Sequence, residues 1–163
     1  MRGIRGSKET IGFLILTCFL SLSFIVSIVY ATSDSGWGSN NSNVYYSIAV
    51  WNLCYRSDYQ ITSSEHSVYL NNASTGDIDY QYTFSQMVDW NHYNTIQGSG
   101  TLTPGNSLSE YSQVIVGVGD LPANDPDDPD DVYTIDAYTE VKFWHGSALD
   151  DYRVDDSSDF KKL

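Results

Sequence analysis

Between Arg56 and Lys142 the sequence has no lysine and no arginine. The same 85-residue interval carries fourteen aspartates and glutamates. Over the whole 163 residues, 8 Lys and Arg face 21 Asp and Glu, a formal charge of −13. Such a chain is a poor partner for nucleic acid, whose affinity rests on basic side chains neutralising phosphates. It also lacks a basic patch for anionic lipid, so membrane contact is expected only through the N-terminal segment. The charge balance favours cations, basic partners or plain solubility.

Cysteine is scarce as well. Cys18 lies in an apolar leader and Cys54 stands alone after it. No disulfide can form within the part that follows Ala31, and Cys54, in an apolar stretch, is expected as a buried thiol. Catalytic signatures are missing too. There is no G-x-S-x-G, and Gly117-Val118-Gly119 follows a strand pattern without a helix after it. His66, His92 and His145 have no metal-ligand spacing, and lone histidines among scattered carboxylates are expected at the surface. The chain therefore reads as a non-enzyme.

One long uncharged run is present. Ile11 to Tyr30 has no charge, Arg2, Arg5 and Lys8 precede it, and the small Ala31 follows. These are the parts of a secretory signal with cleavage near Ala31. Twenty residues at ~1.5 Å rise would equally cross a ~30 Å hydrocarbon core as an anchor helix. Both readings put the rest of the chain outside the cytoplasm, extracellular or at the cell surface.

After the leader the apolar period is two, not 3.6. Val44 to Tyr55 is apolar on both faces, which suits a buried strand; 66–72 is a short strand. Ile78, Tyr80, Tyr82 and Phe84 alternate with Asp79, Gln81, Thr83 and Ser85, a half-buried strand. The 94–110 stretch shows short pieces broken by glycine and by the turn pair Pro104-Gly105. Residues 111–119 form another strand. Tyr133, Ile135, Ala137, Val141 and Phe143 share a phase in the last clear one. Short strands at this spacing with Gly/Pro turns imply an all-β antiparallel sandwich. The expected organisation is a signal peptide or anchor (1–31), a flexible Ser/Asn/Gly-rich lead-in (32–43), the sandwich (44–145) and an acidic C-terminal tail (146–163). Within that tail an edge strand is expected around Leu149 to Val154.

The stretch built on Leu102, Pro104, Gly105, Ser107 and Val114 to Val118, with a closing strand at Tyr133 to Trp144, resembles immunoglobulin-like domains of prokaryotic surface proteins. CARDB-type adhesion modules are among them. The resemblance covers roughly Ile61 to Trp144. It implies an immunoglobulin-like sandwich serving as a surface binding or spacer domain, and no catalytic residue. The chain departs from that pattern in a long acidic connection and an unusually aromatic first strand.

That connection, Gly119 to Asp131, reads as a long hairpin loop. Asp125, Asp127, Asp128, Asp130 and Asp131 supply enough oxygens for calcium, which takes six to eight. Pro126 and Pro129 push the residues before them into extended backbone, so the solvated loop is the competing expectation. Among the aromatics, Trp51 and Trp144 fall inside strands and are expected in the core. Trp90, His92 and Tyr93 lie between strands beside hydrogen-bonding groups, a mixture suited to stacking on sugars. Three roles stay open: a protein-interaction or structural module at the cell surface, a carbohydrate-binding module, and a filament subunit that pairs Thr32 to Tyr55 with a neighbour's sheet edge. Asn40 and Asn72 fit the N-glycosylation pattern, in expected loops.

Overall fold

Strand after strand, the alternation turns one row of side chains inward and the next outward. The computed structural model describes residues 31–38, 43–123 and 132–162, and among these no helix occurs. The expected signal or anchor segment up to Tyr30, Asn40 and the five candidate calcium ligands lie outside the described residues. Eight strands follow in order: β1 (Ala31–Trp37), β2 (Val44–Arg56), β3 (Ile61–Asn72), β4 (Ile78–Val88), β5 (His92–Leu102), β6 (Ser107–Gly117), β7 (Tyr133–His145) and β8 (Ala148–Phe160). Every pairing is antiparallel. The first sheet has the order β1-β2-β3-β6 and the second β5-β4-β7-β8.

The inward rows meet between the sheets. Val44, Ile48 and Val50 of β2 and Val68 and Leu70 of β3 pack against Ile78, Phe84, Val141 and Phe143 of the second sheet. A smaller cluster at the other end gathers Val88, Val116, Val118, Ile135, Tyr133 and Phe160. Each fully buried side chain of this size contributes roughly 1.5–3 kcal/mol. The phases expected for β4 and β7 are the buried ones. β2 differs: its inner row is buried, but Tyr45 on the outer row is exposed, so only one face of this strand is covered. Asn52, at φ 55°, starts a bulge that shifts the register between Trp51 and Cys54 and turns Leu53 and Tyr55 inward.

Several expectations change. Part of the lead-in is β1, paired along β2 from Ala31↔Trp51 to Trp37↔Tyr45. Tyr46 donates its hydroxyl to Asp34 across that edge at 3.0 Å, which fixes a sequence with no apolar alternation of its own. β3 begins at Ile61 rather than at His66. The glycines of 94–110 do not break a strand, because β5 is continuous. Tyr82 and Tyr80 stand opposite Gly98 and Gly100, and a Cβ on Gly98 would overlap the Tyr82 ring. The glycines thus make room for two inward tyrosines. The acidic connection is not a hairpin: β6 ends in the first sheet and β7 begins in the second, with no pairing between them. The tail is a full strand, β8, paired along the length of β7. Phe160 stacks on Tyr55 with centroids 4.5 Å apart. Lys162 donates to the carbonyls of Val118 and Gly119 at 3.1 Å and to that of Leu121, tying the chain end to the start of the crossing. Trp51 and Trp144 are half-buried on outer rows, not core residues.

Two residues read as surface groups are wholly buried. Asn72 donates from Nδ2 to the carbonyls of Gly76 and Leu102, and its Oδ1 accepts from Ser74. Its side chain is closed to a glycan in the folded state. His66 lies between the sheets, stacked on Phe84. Thr139 donates its one hydroxyl proton to the carbonyl of Ala49 at 2.9 Å, so it accepts from His66 Nδ1–H at 2.9 Å. Nε2 is then the acceptor for Ser64 at 2.7 Å. The chain β2–β7–β3 is complete only with a neutral imidazole. Gln86 of β4 adds a second crossing by donating to Thr62 of β3.

Charge segregates between the two outer faces. The second sheet carries Asp79, Asp136, Glu140, Asp151, Asp155 and Asp159 outward, against Lys142 and Arg153. Over the rows from Tyr45 to Trp51 and their partners on β3 and β6, the first sheet carries one outward charge, Glu65.

Burial lowers the His66 pKa to about 4 from its ordinary 6.5. Between these values the unfolded chain binds a proton that the folded chain refuses, so stability falls as pH drops through the window. The loss starts near pH 6.5 and reaches about 3 kcal/mol near pH 4. Urea unfolding across this range will show a steeper decline for the native chain than for His66→Gln; parallel curves would contradict a neutral buried imidazole. Gly98→Ala is expected to lose about 1–3 kcal/mol in the same measurement, as overpacking does. Ser99→Ala, on the outward row, serves as the neutral control.

Candidate functional site

The β4–β5 connection is three residues long, Asp89, Trp90 and Asn91, with Asn91 N–H bonded to Val88 O at 3.2 Å. Asp89 and Trp90 have φ of 52° and 62°. Paired left-handed residues make the primed turn whose twist suits a hairpin, and the usual occupants are Asn-Gly or Asp-Gly. Here the second position is tryptophan. A bulky residue pays a steric penalty in this region, of order 1–2 kcal/mol. Trp90 recovers little by packing, since it is 80 % exposed.

Its ring borders a groove of about 480 Å³ on the outer face of the second sheet. The rows Met87–Asp136–Ser157 and Ser85–Tyr138–Asp155 form the floor and sides. Ser85 is buried because it is a small residue on a central strand between larger neighbours. Arg153 closes one side. Its guanidinium lies 3.8 Å from the Tyr138 ring centroid, and its Nε donates to Asp155 at 2.8 Å. The stack and the ion pair hold one tyrosine face and one carboxylate in fixed positions. The Asp136 carboxyl is pushed above its ordinary value, first by burial and then by the charges of Asp159 and Asp155. Among the described residues none donates a hydrogen bond to it, so its oxygens face the groove as open acceptors.

The three residues singled out in the sequence divide. Trp90 belongs to the groove. Tyr93 pairs with Met87 and stands on the same outer face, 75 % exposed. His92 pairs with Val88 and turns the other way, as strand neighbours must. It is half-buried, with Nδ1 shut away from solvent and without a partner among the described residues. His92 and Tyr93 also border a shallow cleft where Asn94 donates to Ile115 O at 2.9 Å, linking the edges of the two sheets. Among the described residues no group of three His, Cys, Asp or Glu can hold a metal ion.

Asp136, Tyr138, Arg153 and Asp155 were not anticipated. The outward phase of β7 carried a signal for the first two, because Asp136 and Tyr138 fall on the row that alternates with the inward Tyr133, Ile135, Ala137, Val141 and Phe143. Arg153 and Asp155 require that β8 be a strand in register with β7.

In class, the chain is an all-β sandwich of two four-stranded antiparallel sheets. No family model matches it, and no curated protein does. Among solved structures it is similar in outline to a crystal structure of a protein from Archaeoglobus fulgidus. That likeness has 8% identity and a TM-score of 0.40, and covers 82% of this chain and 96% of that one.

Trp90→Gly is expected to raise stability by about 1 kcal/mol by removing the left-handed strain. A thermal melt reads this directly. An unchanged or lower midpoint would mean that the indole packs on the groove wall more tightly than its exposure implies.

Proposed function

We propose that this chain is a non-enzymatic interaction module that acts outside the cytoplasm and binds carbohydrate in the groove beside Trp90. The observation that carries this is the exposed indole, kept at the groove rim by a turn that tryptophan disfavours. Strain at an exposed site is retained where function needs the residue there. An indole face stacks on the apolar face of a sugar ring. Asp136, Ser85 and Ser157 offer acceptors and donors at the spacing of a sheet for the hydroxyls around such a ring. Tyr93 extends the aromatic surface along the same face.

The strand connectivity supports the finer fold reading, an immunoglobulin-like sandwich. Counted from β2, the first, second and fifth strands share one sheet and the third, sixth and seventh the other, as in immunoglobulin domains. The fourth strand, β5, joins the edge of the third, where variable-type domains add strands. Such sandwiches serve many roles, so the groove and not the fold carries the functional proposal. Filament assembly through strand pairing has less support, since Ala31–Trp37 already pairs with β2 of its own chain.

Screening the chain against an array of immobilised glycans tests the proposal. Binding is expected, with a loss of about tenfold or more in Trp90→Gly despite its greater stability. Asp136→Asn is expected to weaken binding without unfolding. An array on which nothing binds, or binding indifferent to both substitutions, would sink the carbohydrate assignment.

A further inference from the structure

The opposite face of the sandwich has a different chemistry. Its outward rows on β2, β3 and β6 are built of serine, asparagine, glutamine and aromatic side chains. Tyr45, Tyr69, Tyr111 and Ile115 are 46 %, 41 %, 60 % and 43 % exposed there. They are half of the large apolar side chains exposed among the described residues. Tyr69 lies opposite Ser47, and Tyr111 opposite Ser67. Tyr45, Tyr69 and Tyr111 thus step diagonally, one strand across and two residues along each time. Trp51 packs on Tyr111 with ring centroids 5.9 Å apart. The face's one carboxylate, Glu65, is occupied: it accepts from Asn52 Nδ2 at 3.0 Å and from the Tyr111 hydroxyl.

We propose that this tyrosine face is the contact through which two copies of the chain associate, first sheet against first sheet, with Tyr69 near the centre. Composition is the first support. Tyrosine gives a large rigid contact at low entropic cost, and serine and asparagine adapt their hydrogen bonds to it. Charge selects the occupant. After Ala31 the chain carries five basic and twenty acidic residues. A basic partner would be drawn to the acidic second sheet instead. Of the two described outer faces, the second sheet crowds its carboxylates outward and this one carries a single one, so this is the face by which two copies can touch without setting rows of carboxylates against each other. Hydroxyls, which both donate and accept, make the face self-complementary, as a two-fold contact requires. Size is the last support. Strands ~4.8 Å apart, with ~3.4 Å per residue, give the first sheet a flat footprint of roughly 650 Å². Side-chain relief brings this close to the ~800 Å² per partner of a standard interface. Two sheets packing face to face align within about 30°. This contact lies across the sandwich from the groove and stands independently of the carbohydrate proposal.

Sedimentation equilibrium of the full chain, in density-matched non-ionic detergent that disperses residues 11–30, provides the test. The native chain is expected to dimerise between micromolar and millimolar concentration, more tightly as salt screens the net charge. Tyr69→Asp is expected to weaken the dimer by about tenfold or more. Tyr59→Asp, in the β2–β3 turn and off the face, is expected to leave it unchanged. If Tyr69→Asp fails to fold, as judged by circular dichroism, Tyr111→Asp reads the same contact. A native chain that stays monomeric throughout would overturn the proposal. So would a dimer indifferent to both substitutions on the face. A monomer retained on an insoluble neutral polysaccharide through Tyr69 would assign the face to that ligand instead.

Discussion

Thr139 has one proton to give, and it gives it to the carbonyl of Ala49. That commitment makes His66 the donor at Nδ1 and the acceptor at Nε2, and it makes Ser64 a donor. Three strands from two sheets are thereby joined through one imidazole in an interior with no disulfide. Apolar packing alone would tolerate small slips of one sheet over the other. A buried hydrogen-bond chain does not, because any slip leaves a donor or acceptor unpaired in a medium where that costs about 1–3 kcal/mol. The groove rows are set separately, by the pairing of β4, β7 and β8 within the second sheet.

The inward rows of β4 and β7 were readable because apolar residues recur at every second position, broken by Gln86 in one strand and Thr139 in the other. What was not readable shares a cause: partners far away in sequence. β8 is dominated by aspartate and serine, and it becomes a strand because β7 offers it an edge along its whole length. β1 has no apolar phase and depends on β2 and on the Tyr46–Asp34 hydrogen bond. Gly98 and Gly100 looked like breakers because their role is visible only beside Tyr82 and Tyr80. The candidate site suffered likewise. Trp90 stood out by type, but its neighbours Asp136, Tyr138 and Arg153 come from strands more than forty residues later. Proximity in sequence instead suggested His92, which the strand pleat turns away.

The acidity of the composition is not uniform over the fold. Carboxylates crowd the outer face of the second sheet and the exposed edge strand β8, where they discourage edge-to-edge pairing. They are all but missing from the outer rows of the first sheet. A mean charge per residue hides this partition. It leaves the sandwich with one face that repels its own kind and one that does not, with the groove of Trp90 on the repelling side.

Asn72 makes folding order consequential. The amide nitrogen that a glycan would occupy is the one that donates to Leu102 and Gly76. The backbone of the same residue is bonded to Asn106 and Gly105. In any compartment that modifies Asn-X-Ser sequences, enzyme and fold compete for a single atom. A chain that closes its β3–β4 and β5–β6 turns first is immune to the modification. A chain caught before that closure carries a sugar where the protein has no room for it. In such a compartment the sequon would act as a folding clock, its occupancy counting the molecules that were slow.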